Sequence, residues 1–303
     1  MPEVPERTAP TRIVAGGTQL NCVDWTVMRN DVPTVGLTHG AQMPEIGLGT
    51  WPMDDAETAE AVRTAIDCGY RLFDTAENYR NEVGVGQGIK ESGIPRSQVF
   101  ITTKFNKQWH SVDGARRAFD NASANLGTDY IDLLMIHWPN PDQDRYVDAW
   151  KGMAQLLEEG SVKAVGTSNF KPAHLDRIIN ETGVAPDVNQ INLNPYATRD
   201  AAVPYHRDHK IITESWSPIK PSEMLHEPVI TELAELYQRT PAQVVLRWHT
   251  QLGYVTVPKS ATPSRIRDNI SIFNFEMTSE QLESISALDR GDSHVTDSDR
   301  FGH

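Results

Sequence analysis

Cysteine is scarce in this chain: Cys22 and Cys68 are the only two among 303 residues. They form no C-x-x-C pair and stand in no cluster with metal-ligand spacing. A disulfide framework and a thiolate zinc site are therefore excluded, and a reducing compartment fits. Positive charge is also in short supply, with 28 Lys and Arg against 41 Asp and Glu and a formal net charge of −13. So acidic a balance argues against a nucleic-acid backbone or an anionic membrane as partner. No run reaches the roughly 18 consecutive apolar residues of a membrane-spanning helix. The stretch from Met1 to Glu6 has no basic segment leading into an apolar one, as a secretory signal would. These absences predict a soluble, cytoplasmic protein, more readily a monomer than an oligomer.

What is present is an alternation. Residues 1–33, with several prolines and a Gly16-Gly17 pair, show weak periodicity and are expected to form an extension of little order. A single domain is expected over 34–303. It opens with a short hairpin from Val35 to Pro44, its turn at His39-Gly40-Ala41. Beyond it, strand-like runs at Glu45–Leu48, Arg71–Asp74, Val99–Thr103, Ile131–His137, Val162–Thr167, Val188–Leu193, Ile211–Trp216 and Tyr254–Pro258 alternate with helical patterns. Val112, Ala115, Phe119, Ala122 and Leu126 recur at steps of three and four between Ser111, a cap, and Gly127, a stop. Ala59, Val62 and Ile66 do the same before Gly69, and Pro241 marks a first helical position. Thr278-x-x-Gln281 starts a late capped helix outside the repeat. The strand interiors are nearly continuously apolar, as in parallel strands buried on both faces. Eight such units point to an α/β fold, a (β/α)8 barrel or a doubly wound open sheet.

In a barrel, functional side chains gather at the C-terminal ends of the strands. Those ends carry Asp74, Lys104 and His137, with Tyr79 five residues beyond Asp74. Such a set suits addition of hydride to a carbonyl, where charge develops on oxygen and a proton must be delivered. Tyrosine has a pKa of about 10 and is a poor acid at neutral pH. An ammonium about 4 Å away would stabilise its phenolate by roughly 4 kcal/mol at an effective dielectric of about 20. Asp74 would hold Lys104 charged, and His137 would orient the carbonyl. Spacing alone leaves open the plainer alternative of a structural histidine beside an ion pair.

The flanking residues narrow the choice. Gly69-Tyr-Arg-Leu-Phe-Asp-Thr-Ala-Glu-Asn-Tyr79, Ile101-Thr-Thr-Lys104, Leu133-Leu-Met-Ile-His-Trp-Pro139, Val165-Gly-Thr-Ser-Asn169 and Val257-Pro-Lys-Ser260 resemble, in order, the motifs of the aldo-keto reductases. The likeness is to the bacterial branch typified by 2,5-diketo-D-gluconate reductases, and it covers nearly all the chain beyond residue 33. It implies a (β/α)8 TIM barrel closed at its base by the N-terminal hairpin, with NADPH (NADP+) lying over the rim. Gly84-Val-Gly86-Gln-Gly88, a G-x-G-like run, falls inside a helical pattern and carries no dinucleotide signal.

By this resemblance Tyr79 is the proton donor, supported by Lys104 and Asp74, with His137 on the substrate carbonyl. Ser168, Asn169 and Gln190 match the residues that bond the nicotinamide carboxamide, and Trp216 the ring that stacks on it. Thr50, Ser217 and Ile219 also fall at cofactor-binding positions. Lys259, Ser260, Arg265 and Asn269 match the 2′-phosphate pocket, a basic island at a helix start in an acidic protein. Trp51 and Trp138 match aromatic walls of the substrate pocket. Three positions depart from the pattern: Asn194 for histidine, Lys220 for glycine and Asp268 for glutamate, which bear on cofactor affinity. The tail after Asp289 is short, as in members with an open pocket. The substrates implied are small carbonyls, dicarbonyls and keto sugar acids. A non-catalytic NADPH-sensing subunit of the same fold is an alternative. A metal-dependent hydrolase is disfavoured, because only Asp74 and His137 lie at strand ends and His206-x-x-His209 sits in a polar loop pattern.

Overall fold

The structure, a computed structural model, describes residues 32–303; the extension expected over 1–33 falls outside them but for its last two residues. A hairpin comes first, β1 (Thr34–Gly36) paired antiparallel with β2 (Gln42–Pro44). Its turn contains Gly40 at φ 98°, a backbone region open to glycine and costly for other residues. Then follow β3 (Leu48–Gly49), α1 (Asp55–Cys68), β4 (Leu72–Asp74), α2 (Glu82–Ser92), β5 (Phe100–Phe105) and α3 (Val112–Leu126). The alternation continues through β6 (Ile131–Ile136), α4 (Tyr146–Glu158), β7 (Val162–Ser168), α5 (Pro172–Thr182), β8 (Val188–Asn192), α6 (Ala202–Asp208) and β9 (Ile212–Trp216). Two helices, α7 (Pro228–Tyr237) and α8 (Pro241–Gln251), separate β9 from β10 (Val255–Val257); α9 (Pro263–Ile270) and α10 (Ser279–Ser286) come after it.

Helix ends lie where side chains satisfy the free backbone groups. Ser111 accepts the N–H of Gly114 at the start of α3, and Gly127 ends that helix in the left-handed region. Thr240 with Gln243 and Thr278 with Gln281 form reciprocal capping boxes on α8 and α10. The run from Gly84 to Gly88 lies within α2, as its pattern predicts. Its glycines let that helix press against α1: a Cβ on Gly88 would stand 2.8 Å from the carbonyl oxygen of Ala59.

Among the described residues, β3 to β10 pair in parallel in chain order. The two ends of that sheet meet. Bridges join Ile46 to Thr256 and Gly49 to Lys259, and the N–H of Gly47 donates to the Thr256 carbonyl at 2.9 Å. This closes a (β/α)8 barrel and removes the open doubly wound sheet from consideration. Closure requires glycine at position 49, where a Cβ would stand 2.7 Å from the Val257 carbonyl oxygen. The barrel interior is filled by Leu72, Leu133, Met135, Val188 and Val255, with Leu37 and Met43 reaching in from the hairpin.

The hairpin plugs the base, where the strands begin. Asp187, wholly buried just before β8, accepts the backbone N–H of His39 (2.9 Å), faces its ring Nδ1 (2.8 Å) and accepts the N–H of Val165 (3.0 Å). His206-x-x-His209 is not in a loop as its polarity suggested. His206 belongs to α6 and is wholly buried, its ring between the Asn189 amide (2.8 Å) and the Thr213 hydroxyl (2.9 Å), so its role is structural. Among the described residues no helix is long and apolar enough to cross a membrane.

Asp187→Ala would leave two backbone donors and an imidazole without their acceptor. It is expected to lower the unfolding free energy by about 2–4 kcal/mol, read as a shift of the urea midpoint. A loss under about 0.5 kcal/mol would contradict the anchoring role.

Candidate active site

The barrel delivers β4, β5 and β6 to one rim, and with them Asp74, Lys104 and His137. Lys104 is 1 % exposed, and its ammonium donates to both carboxylate oxygens of Asp74 (2.7 and 2.9 Å) and to the Thr75 carbonyl (2.9 Å). Three donors thus meet three acceptors, the condition under which a buried ammonium is tolerated. Tyr79 ends a single 3-10 turn, Glu77–Tyr79, that Asn81 holds in place. The Asn81 amide donates to the carbonyls of Thr50 (3.1 Å) and Met53 (2.9 Å), and its oxygen accepts the Thr75 hydroxyl (2.7 Å). Thr50 in turn donates its hydroxyl to the Asp74 carbonyl at 2.9 Å. The outcome is a phenol ring centred 5.2 Å from the Lys104 ammonium and 5.8 Å from the His137 ring, at 74° to it.

Electrostatics assign each group a protonation state. Burial works against the charge on Lys104, but Asp74, and after it Tyr79, outweigh burial and raise its pKa; it stays an ammonium. Burial raises the Tyr79 phenol, while Lys104 pulls the other way. The expectation that Lys104 would bring the phenol down towards neutrality thus names the weaker of two opposing effects. Burial prevails, and Tyr79 stays protonated. Burial, then the Lys104 charge and His303, hold His137 well below the usual imidazole value, so it is neutral.

The cofactor positions continue the same network. The Asn169 amide donates to the His137 carbonyl (3.2 Å) and to the Ser168 hydroxyl oxygen (3.0 Å), and its oxygen accepts the Trp216 indole N–H (3.0 Å). Ser168 donates to the Gln190 carbonyl at 3.0 Å. Asn169 and Ser217 both hold left-handed backbone, φ 64° and 53°, unfavourable for side-chain-bearing residues and typical of functional rims. Gln190 faces two carboxyl groups. Both hydrogens of its amide are committed, to Asp74 Oδ1 (2.8 Å) and Glu214 Oε2 (2.9 Å), which leaves its oxygen alone to meet a carboxamide. Further along, exposed Lys259 and Arg265 flank buried Ser260 and Asn269 where β10 leads into α9, and Ile219 is half-buried against the core.

Residues 45–290 match the model of the Aldo/keto reductase family. The chain belongs to that family. It is 45 % identical over 266 residues to 2,5-diketo-D-gluconic acid reductase B of Corynebacterium sp. (strain SHS752001), covering 86 % of this chain and 95 % of that protein. It is 44 % identical over 273 residues to methylglyoxal reductase DkgA of Escherichia coli O157:H7, covering 89 % and 98 %. A crystal structure of a Gox0644 mutant in complex with NADPH superimposes with a TM-score of 0.85 at 39 % identity, over 88 % of this chain and 98 % of that one.

In this aldo/keto reductase the short tail does not leave the rim bare. The tail crosses the rim. Lys171 binds Asp297 (2.6 Å) and Asp299, and His174 Nε2 lies 3.0 Å from Asp299. Phe301 sets its ring edge-on to Trp138 at 4.9 Å, and the His303 ring stands 5.4 Å from that of His137. The His303 carbonyl accepts the N–H of Lys107 at 2.9 Å. Trp138 is therefore buried beneath the tail, whereas Trp51 is 58 % exposed and contributes only an outer wall. Asn106, Glu214, Phe301 and His303 also border these side chains, and the motifs did not signal them. Asp297 and Asp299, two acids shortly before Phe301 and His303, were the available hint.

Asp74→Asn would leave the Lys104 ammonium buried without its counter-charge. It is expected to destabilise the fold by about 3–5 kcal/mol, the usual cost of breaking a buried pair on one side. Denaturation at neutral pH measures it, and an unchanged midpoint would contradict the pairing.

Proposed function

We propose that this aldo/keto reductase reduces carbonyl compounds to alcohols with NADPH, Tyr79 donating the proton. The reading rests on a phenol kept protonated, an ammonium kept charged beneath it and a neutral imidazole across from it, all at one barrel rim.

The residues suit the cofactor. Arg265 and Lys259 offer exposed cations at the start of α9, whose N-cap Thr262 makes no side-chain capping bond among the described residues. Unsatisfied N–H groups beside a guanidinium favour a phosphate, such as the one that distinguishes NADPH from NADH. Trp216, half-buried and fixed at its N–H by Asn169, presents a flat ring to the rim. Bound NADPH supplies the hydride that adds to the carbonyl carbon.

The rest is work for the chain's own side chains. As charge develops on the substrate oxygen, Tyr79 delivers its proton there, and the Lys104 ammonium stabilises the phenolate left behind. Asp74 keeps Lys104 charged and still. A neutral imidazole donates from one nitrogen only. His137 Nδ1 lies 3.2 Å from Asn106 Oδ1. Donation from Nε2 to the carbonyl requires Asn106 to turn its NH2 towards Nδ1. Trp138, Phe301 and His303 roof the site and exclude water, which strengthens each of these interactions. The aromatic side chains at this rim suit small dicarbonyls or keto sugar acids, in keeping with the names of the two relatives.

Tyr79→Phe is expected to lower kcat by at least about a hundredfold while the NADPH Kd changes by less than about threefold. A near-normal rate with methylglyoxal would contradict the proton-donor role. Arg265→Ala is expected to weaken NADPH by about tenfold or more and NADH by less than about twofold. Equal losses in fluorescence titrations would refute the phosphate pocket.

A further inference from the structure

Beneath the rim lies a carboxylate that this scheme does not use. Glu214 projects from β9 into the barrel, wholly buried, opposite Gln190 on β8 and Val255 on β10. The Gln190 amide nitrogen gives one hydrogen to Asp74 Oδ1 (2.8 Å) and the other to Glu214 Oε2 (2.9 Å). Against the ionised Asp74 only the nitrogen of the amide can lie, and this fixes its orientation. Glu214 Oε1 has no hydrogen-bond partner among the described residues.

We propose that Glu214 is a positioning residue of the reduction, which through Gln190 holds Asp74 against Lys104 and through its own charge governs the acidity of the Tyr79 phenol. Charge is confined here to a closed space. The charged and titratable groups facing it are Asp74 from β4, Lys104 from β5 and, past them, Tyr79; Gln190 and Val255 are neutral. With Glu214 ionised, two carboxylates would share one ammonium, and the unpartnered Oε1 would carry charge without solvation. Burial, then the charge on Asp74, push its pKa up to about 8. At neutral pH Glu214 is therefore a neutral acid, and Asp74 and Lys104 balance. When it ionises, the added negative charge raises the pKa of both Tyr79 and Lys104. A phenol so placed gives up its proton less readily, and reduction slows.

The sign for stability follows the same way. A carboxyl whose pKa is higher folded than unfolded opposes folding increasingly as pH rises from its unfolded value of about 4.5 to about 8. Glu214→Gln keeps the clamp, because its amide oxygen accepts from Gln190, and removes the ionisation. Glu214→Leu removes both.

The proposal rests on the reading above for its kinetic arm and not for the others. With NADPH and methylglyoxal, the wild-type kcat is expected to fall as pH passes about 8, and this fall is absent in Glu214→Gln. Glu214→Leu loses about tenfold in kcat, rescued by glutamine. In the infrared, wild type at neutral pH shows a protonated-carboxyl C=O stretch that Glu214→Gln lacks. The Tm advantage of Glu214→Gln over wild type widens between about pH 5 and pH 8. Superimposable pH profiles in the two proteins, or no carboxyl band in the difference spectrum, overturn the proposal. If wild type shows no turnover with NADPH, the proposed activity fails separately; a Tm difference independent of pH then overturns the assignment for Glu214.

Discussion

A lysine ammonium sunk in the wall of a barrel is the constraint around which the rim is built. Burying two charges costs several kcal/mol for each ion, and their attraction offsets that cost only with close geometry and complete hydrogen bonding. Lys104 meets both conditions, with two contacts to Asp74 and one to Thr75. An apolar pair of the same volume would fill the space with less risk. The charge persists where a phenol lies against it, which is where a positive field has chemical use.

The surrounding architecture serves to keep that pair immobile. Asp74 is braced by Gln190 from across the barrel, and its carbonyl is bonded by Thr50. Asn81 ties the turn from Thr50 to Met53 to Thr75 at the end of β4. Gly49 lets β3 and β10 meet, so the strands carrying these residues cannot splay. At the far end the hairpin, fixed through His39 to Asp187, stops the base of the barrel. The base and the rim thus divide labour as in other barrels, with stability below and chemistry above.

Much of this was legible in the residue order, for local reasons. Caps, glycine stops and proline starts act over four residues, so Ser111, Gly127, Pro241 and the pair Thr278/Gln281 were found at the right places. The tetrad was legible because strand ends converge in a barrel. What escaped notice depends on contacts between distant residues. The bond from Gln190 to Glu214 is a matter of which way two side chains point, and β9 reads simply as a buried strand. The tail lies over His137 because Asp297 and Asp299 find Lys171 more than a hundred residues away. The alternation passed over α7, a second helix between β9 and β10. His206 reads as polar loop, yet its ring is satisfied by Asn189 and Thr213 in the interior. For Tyr79 the proximity of Lys104 is visible in the motif, whereas the opposing effect of burial on its phenol is not.

The central claim is that these four side chains act on a carbonyl facing a reduced nicotinamide. Incubation with methylglyoxal and NADPH carrying deuterium at both nicotinamide C4 positions tests it directly. The account predicts oxidation of one NADPH per alcohol formed, with deuterium on the new carbinol carbon. Alcohol formed without that label, or no NADPH consumed at all, would contradict it.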